Sequence, residues 1–144
     1  MNRLAFELTD NKGVIAITPS IDGIALSTLV TDFEEASGYH DPAGGYGGLV
    51  PAFLSYGPLD TYFRGQAGNQ GESDRDNEIY VLACDCGEVG CWPLVASVVE
   101  TSQGYRWESF RQPYRPKRDY SAFGPFEFER QHYEGEIRGL PKEA

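Results

Sequence analysis

The chain has 144 residues, of which 40% are hydrophobic, and its formal net charge is −10 at pH 7. This size fits a single domain, residues 1–144, around one core. The acidic balance argues against nucleic acid as a partner, because phosphate binding relies on Lys and Arg. The sequence contains no apolar stretch of about 18 residues, and its start lacks the pattern of a signal peptide, so we expect a cytoplasmic protein that makes no membrane contact.

Two strand-like runs near the N-terminus predict a β-hairpin. Residues 4–8 alternate apolar and polar side chains, residues 14–17 are apolar, and four turn-forming residues at 10–13 lie between the runs. We expect Pro19 to end the second strand.

The apolar period then changes to that of a helix over residues 24–36. The side chains at i, i+3, i+4 and i+7 that define its apolar face are Leu26, Leu29, Val30 and Phe33. Asp22 and Ser27 are alternative N-cap residues, and Gly38 suits the left-handed conformation that follows many helices.

Three segments are predicted to be loops. Residues 37–48 are rich in Gly, but the Lys-Ser/Thr pair that completes a phosphate-binding P-loop is missing. Residues 65–77 are almost entirely polar and predict a flexible surface loop. Residues 111–118 form a basic loop that two prolines keep from regular structure. Between the first two loops, residues 51–63 are apolar and aromatic and predict a short helix or strand packed on the sheet.

The centre of the fold is predicted to be a hairpin over about residues 79–99. Its two runs are rich in Val, Ile, Leu and Tyr, and a tip at Glu88 and Val89 sets Leu82 opposite Val95. Both faces of this hairpin are apolar, so both require cover from other parts of the chain.

The last third of the chain is predicted to extend the sheet and end in a helix. Residues 105–110 form a third strand, with Val99 opposite Trp107; a shorter turn, which would set Val99 opposite Glu108, is the less favoured register. Residues 126–128 form an edge strand, and residues 129–138 form a terminal helix. The predicted fold class is therefore α+β with an antiparallel sheet. The apolar side of the terminal helix consists of Tyr133, Ile137 and Leu140.

The three cysteines form a C-x-C-x4-C pattern in the tip of the central hairpin: Cys84, Cys86 and Cys91. A structural zinc site needs four ligands, and the fourth would come from one of four residues: Asp85, Glu88, His40 and His132. A disulfide between Cys86 and Cys91 is a second interpretation, although an intracellular location and an odd cysteine count weigh against it. Buried thiols that only pack in the turn are the third.

No known catalytic template is present. The sequence lacks G-x-S-x-G and H-E-x-x-H. His40 beside Asp41 is either an acid/base pair or a solvated histidine in a Gly-rich loop, and His132 is interpreted as a surface residue of the terminal helix. Glu34 and Glu35 are interpreted as solvated charges.

The segment CDCGEVGCWPL, followed by WESFRQPYR and DYSAFGPFEFERQHYE, covers roughly residues 78–138. It resembles a family of small uncharacterised bacterial proteins that carry CDCG-x-x-GCWPL, W-x-x-FRQP and GPF-x-F. The resemblance implies a shared module and names no activity.

Two functional hypotheses remain. The first is a small acidic binding protein without catalytic activity, of inhibitor or immunity type, that caps a basic surface on a protein partner. Its candidate contacts lie in or beside the polar loop, with two exposed tyrosines as anchors: Asp74, Asp76, Glu78, Tyr39 and Tyr46. The alternative is a metal-binding or thiol module on the turn that carries Cys84, Cys86 and Cys91. The basic loop 111–118 is either an anion or acidic-peptide site or a segment that neutralises the acidic body.

Overall fold

The computed structural model describes residues 1–11, 13–39, 43–51, 58–65, 77–84 and 93–140. Within these ranges the strands are β1 (Leu4–Asn11), β2 (Val14–Ile21), β3 (Ile24–Ala25), β4 (Tyr46–Gly47), β5 (Glu78–Cys84), β6 (Leu94–Glu100), β7 (Gly104–Arg111) and β8 (Phe126–Glu129). The helices are α1 (Leu26–Ala36), α2 (Leu59–Phe63) and α3 (Arg130–Arg138). The predicted α+β class is confirmed.

The strands form two antiparallel sheets, one in the order β1-β2-β3 and the other in the order β4-β5-β6-β7-β8. Side chains from both sheets and from the three helices named above share one hydrophobic core. Trp107 on β7 is fully buried in it and donates its indole N–H to the Tyr133 hydroxyl on α3, 2.9 Å away. None of the helices in the described part of the chain combines the length and the apolar character needed to cross a bilayer.

The predicted N-terminal hairpin is confirmed, but its second strand does not end at Pro19. β2 continues through Pro19, which lies opposite Phe6, to Ile21. Ile17 exchanges both backbone hydrogen bonds with Leu49, on the side away from β1. Alternate residues of an antiparallel strand direct their backbone groups to the same side, so Pro19, like Ile17, directs its backbone groups away from β1. The missing N–H of Pro19 therefore leaves the β1–β2 ladder intact.

The predicted helix at 24–36 is confirmed as α1, which begins two residues later because residues 24–25 form β3. The N-cap prediction is wrong. The N-cap is Ala25 without a side-chain hydrogen bond, and the Asp22 carboxylate instead accepts from the backbone N–H of Arg3 (2.8 Å) and from the side chain of Asn2 (2.7 Å). Gly38 has the expected left-handed conformation, with φ +83°.

The central hairpin is confirmed as β5 paired with β6, and both of its faces are covered. All residues from Glu78 to Ala83 and from Leu94 to Val98 are buried. The register differs from the prediction, since Tyr80 lies opposite Val95 and Leu82 opposite Leu94, with an irregularity between the two pairs. The tip of this hairpin, residues 85–92, lies outside the described residues.

The third strand of the meander is confirmed as β7, but both predicted registers are wrong. Val98, not Val99, lies opposite Trp107, and Val99 lies opposite Arg106. Thr101 closes the turn: its N–H donates to the Gly104 carbonyl (2.8 Å), and its hydroxyl accepts from the Gly104 N–H (3.0 Å). This turn is one residue shorter than the predicted one, because Thr101 lies opposite Gly104 and only residues 102 and 103 separate them.

The C-terminal predictions are confirmed. β8 pairs with β7, α3 follows it, and Tyr133, Ile137 and Leu140 are buried. The Glu129 side chain caps α3 by accepting from the backbone N–H groups of Gln131 and His132. In the middle of the chain, the predicted short element is α2, and the Gly-rich segment contains β4, which pairs with the end of β5.

Candidate functional site

Glu34 is a carboxylate in the protein interior, with an exposed fraction of 0%. It lies on α1 four residues after Val30, which itself follows Leu26 by four residues, so the three side chains share one face of the helix. The prediction that Glu34 is a solvated charge is therefore wrong, whereas its neighbour Glu35 is exposed as expected.

Four donors surround the Glu34 carboxylate. Its Oε1 accepts from the backbone N–H of Gly44 at 2.7 Å. Its Oε2 accepts from the hydroxyls of Tyr46 at 2.6 Å and Tyr120 at 2.5 Å, and lies 3.4 Å from the Arg118 guanidinium. Hydrogen bonds to an ionised group are shorter and stronger than neutral ones. The cluster therefore joins α1, the Gly-rich segment and the segment after β7.

The two phenols in this cluster remain neutral donors. Burial, followed by the hydrogen bond to Glu34, raises the pKa of Tyr120 to about 12. Burial is also the main cause that raises the pKa of Tyr46, and the Glu34 hydrogen bond adds to it. A neutral phenol donates its proton to the carboxylate, which is the geometry observed.

Tyr39 and Tyr46, the two predicted aromatic anchors, lie beside this cluster. Both are half-buried, and the Tyr46 hydroxyl is engaged by Glu34, so the prediction that they are exposed is wrong. The Tyr39 hydroxyl accepts from the backbone N–H of Asp119 at 2.7 Å, and the Arg118 guanidinium lies 5.1 Å from the centre of its ring.

Glu78 is also buried, with an exposed fraction of 2%, so its predicted role as a surface contact is wrong. Arg111 holds its carboxylate with two hydrogen bonds, from Nε at 2.7 Å and from Nη2 at 2.6 Å. Such a two-point contact matches the planar guanidinium to the carboxylate. Arg111 and Arg118 thus neutralise two buried carboxylates. This agrees with the interpretation that the basic loop neutralises the acidic body.

The remaining basic residues of that loop, Arg115 and Lys117, are exposed. With Tyr114, Pro116 and Arg118 they line a surface cavity of about 270 Å³.

The other predicted site residues fall into two groups. Cys84 is half-buried at the end of β5, opposite Tyr46. Residues outside the described ranges are Cys86, Cys91, Asp74, Asp76, His40 and Asp41. In the ranges that are described, no three His, Cys, Asp or Glu side chains group as metal ligands would.

His132 is not the surface residue predicted. It is half-buried, and its Nε2 lies 2.9 Å from the Leu4 nitrogen and 2.8 Å from the Leu4 oxygen. A bare Nε2 accepts from the Leu4 N–H, whereas a protonated Nε2 donates to the Leu4 carbonyl. Either form attaches β1 to α3.

The outer end of the N-terminal hairpin carries apolar side chains into solvent, a feature not recognised in the sequence. Leu8 is 44% exposed, Ile15 38% and Val14 36%. Leu8 and Ile15 lie on the same face as the buried Leu4 and Ile17. The alternation of apolar residues along both strands is the signal for this face, which extends beyond the core.

A comparison with protein families, with curated proteins and with solved structures finds no match to this chain.

Proposed function

We propose that this chain is a small acidic binding protein of the cytoplasm, without catalytic activity, that caps a basic surface on a partner protein as inhibitors and immunity proteins do. Its contact surface includes the outer end of the β1–β2 hairpin. The partner is a protein rather than a nucleic acid or a membrane.

The observation that carries this proposal is the exposed apolar face at the hairpin end. Leu8 and Ile15 together present apolar area that the core does not cover, and contiguous exposed apolar patches mark interaction sites. Exposed Asp10 lies opposite Ile15 on this same face, whereas exposed Glu7 lies on the other face of β1. An apolar centre beside an acidic side chain fits an interface with a basic partner.

The buried carboxylates support a binding role in a second way. Glu34 and Glu78 are held by donors from their own chain, so their charges serve the fold. The surplus of negative charge that gives the net value of −10 belongs to other side chains, and charge of one sign steers a partner of opposite sign.

A pull-down at low salt tests the proposal. Immobilised protein is expected to retain a basic protein whose binding weakens as salt is added. The double substitution Leu8→Ser and Ile15→Ser is expected to weaken retention about tenfold or more, which corresponds to about 1.4 kcal/mol. Ile24→Ser is the matched control, because Ile24 is 46% exposed but lies on β3.

Two results would contradict the proposal. One is that no protein is retained at low salt. The other is a retained protein whose binding does not respond to ionic strength.

A further inference from the structure

The outer edge of β1 has backbone groups directed away from its own sheet. Leu8 lies opposite Ile17, and Ile17 directs its N–H and C=O away from β1 to Leu49. When one residue of an antiparallel pair directs its backbone N–H and C=O away from the partner strand, the residue opposite it directs its own N–H and C=O away as well. The N–H and C=O of Phe6, Leu8 and Asp10 therefore point outward, as those of Leu4 do toward His132.

This edge is open along most of its length in the part of the chain that the structure describes. β1 is the outermost strand of its sheet, and only β2 pairs with it over Leu4–Asn11. An unpaired strand edge is a template for another extended chain.

A groove runs between this edge and helix α3. Its volume is about 140 Å³, and it is lined by Phe6, Leu8, Gly135, Glu136, Gly139 and Leu140. At the Leu4 end of the edge, the His132 side chain contacts the outward backbone groups of Leu4. The groove lies farther along β1, at Phe6 and Leu8.

Gly135 keeps the helix side of the groove free of a side chain. A Cβ at this position would meet no atom within 4 Å, so packing inside the protein does not require glycine here. Glycine in a helix interior is unfavourable relative to alanine, and its absence of a side chain allows another backbone to approach closely.

The charges at the groove are acidic. Glu136 lines the groove itself, and exposed Asp10 lies on the same face of β1 as Phe6 and Leu8. A segment that enters the groove therefore meets negative charge, and a Lys or Arg side chain on it would be attracted to Glu136.

We infer that the edge of β1 receives an extended segment of a partner protein as an added strand. The segment carries apolar side chains at alternate positions, which contact Phe6 and Leu8, and a Lys or Arg that faces Glu136. Main-chain hydrogen bonds to residues 6, 8 and 10 supply affinity, and the side-chain contacts supply specificity. This inference rests on the proposed binding function and names the mode of binding.

The test uses the full chain and a capped peptide of nine residues with Lys at the second and eighth positions, Val at the fourth and sixth and Thr at the others, so that the Lys and Val side chains share one face of the added strand. Amide signals in nuclear magnetic resonance are expected to shift at Phe6, Leu8 and Asp10 when the peptide is added, and these amides are expected to exchange more slowly. A peptide in which Glu replaces each Lys is the charge control and is expected to bind at least tenfold more weakly.

Three substitutions separate the edge from the rest of the surface. Leu8→Pro removes one outward N–H while it leaves the β1–β2 ladder intact, and is expected to weaken peptide binding about tenfold relative to the control Leu8→Val. Glu136→Gln is expected to weaken binding, whereas Asp32→Asn on α1, which removes an equal charge, is not. Gly135→Ala is expected to raise the denaturant midpoint and yet to weaken binding, so loss of folding cannot explain its effect.

Peptide binding that leaves these three amides unchanged, or that Leu8→Pro and Gly135→Ala both leave intact, would overturn the inference. Self-association of the chain through this edge without peptide binding would overturn it as well. If the pull-down retains a salt-sensitive partner whose binding is equal in Leu8→Pro and Leu8→Val, the proposed function stands and only this mode of binding fails.

Discussion

Glu34 places a carboxylate where water cannot reach it, and the residues around it replace that water. Gly44, Tyr46 and Tyr120 supply hydrogen bonds, and Arg118 supplies positive charge. Removing a carboxylate from water costs several kcal/mol, and the loss is offset only when the remaining lone pairs are engaged. The three segments that meet at Glu34 are therefore held in one relative position by a single side chain.

Glu34→Gln is expected to lower the free energy of unfolding by about 3 kcal/mol. The amide keeps the shape of the side chain but removes the negative charge beside Arg118. It also replaces one carboxylate oxygen with an NH2 group, which is a donor and cannot accept the hydrogen bonds that this oxygen now receives. Denaturant unfolding measures the effect. Glu35→Gln, one residue later on the exposed side of α1, is expected to cost no more than about 0.5 kcal/mol, and equal costs for the two variants would contradict this account.

The raised pKa values of Tyr120 and Tyr46 predict a loss of stability at alkaline pH. The pKa of Tyr120 is raised in the folded protein from 10.0 to about 12, so its contribution is fully present below pH 10 and is lost as the pH rises through about 12. Tyr46 shifts in the same direction. Stability is therefore expected to fall between pH 10 and 12, and to fall less steeply in Tyr120→Phe. A fall of equal slope in that variant would assign the effect to other groups.

The spacing of residues along α1 indicates that Glu34 lies on the buried face, but its charge favoured the prediction of a solvated side chain. Leu26 and Val30 define a helix face with a spacing of four, and Glu34 continues that spacing. Its partners Tyr120 and Arg118 lie 86 and 84 residues away along the chain, and no periodicity relates such distant positions. The sequence is therefore enough to place Glu34 on the buried face of its helix. It is not enough to identify the distant donors that make this burial possible.

At the scale of elements, Gly104 shows how closely β7 and β8 pack. A Cβ at Gly104 would lie 2.0 Å from the Phe128 carbonyl oxygen and 2.7 Å from the Arg130 nitrogen. Gly104→Ala must therefore displace the backbone of β8 and the start of α3, and is expected to lower the free energy of unfolding by about 3 kcal/mol. Gly135→Ala, which meets open space in α3, is expected to raise it by about 1 kcal/mol. Thermal unfolding of both variants checks the contrast, and a stable Gly104→Ala would be inconsistent with the strand spacing described.

The ion pair between β5 and β7 gives a second prediction at this scale. Arg111→Ala removes the guanidinium from the buried Glu78, and is expected to cost about 3 kcal/mol in the free energy of unfolding. Arg115→Ala, in the exposed part of the same loop, is expected to cost less than about 0.5 kcal/mol. Arg111→Lys keeps the charge but loses the two-point contact, and its cost is expected to lie between the other two.

The elements were predictable from sequence more completely than their registers. Period and turn residues located the hairpins, the helix at 24–36 and the terminal helix, since these are local properties. The register of β6 against β7 depends on Thr101, whose hydroxyl and N–H close a turn of a length that apolar pairing alone does not select. Likewise, the irregularity between Tyr80 and Leu82 moves the pairs of the central hairpin, and such irregularities have no clear sequence pattern.

At the scale of the whole molecule, the uneven charge along the chain is resolved by contacts between its two parts. Residues 1–105 contain 15 acidic and 4 basic side chains, and residues 106–144 contain 7 acidic and 8 basic ones. Within the described residues, basic side chains of the second part pair with acidic side chains of the first at three places: Arg111 with Glu78, Arg118 with Glu34 and Arg130 with Glu100. The basic segment therefore holds an acidic body together, and part of its charge is unavailable to an acidic ligand.

This arrangement predicts that stability responds to salt through the charges at the surface and not through the buried ion pairs. The net charge of −10 produces self-repulsion in the compact state, and the screening length falls from about 30 Å at 0.01 M salt to about 8 Å at 0.15 M. The free energy of unfolding is therefore expected to rise over this range. Buried pairs are screened much less, so the difference in cost between Glu34→Gln and Glu35→Gln, which remove equal charge, is expected to stay constant. Denaturant unfolding in potassium chloride measures both quantities. A wild-type stability that falls with salt would mean that exposed pairs such as Arg130 with Glu100 outweigh the repulsion, and a difference that shrinks with salt would place Glu34 in contact with solvent.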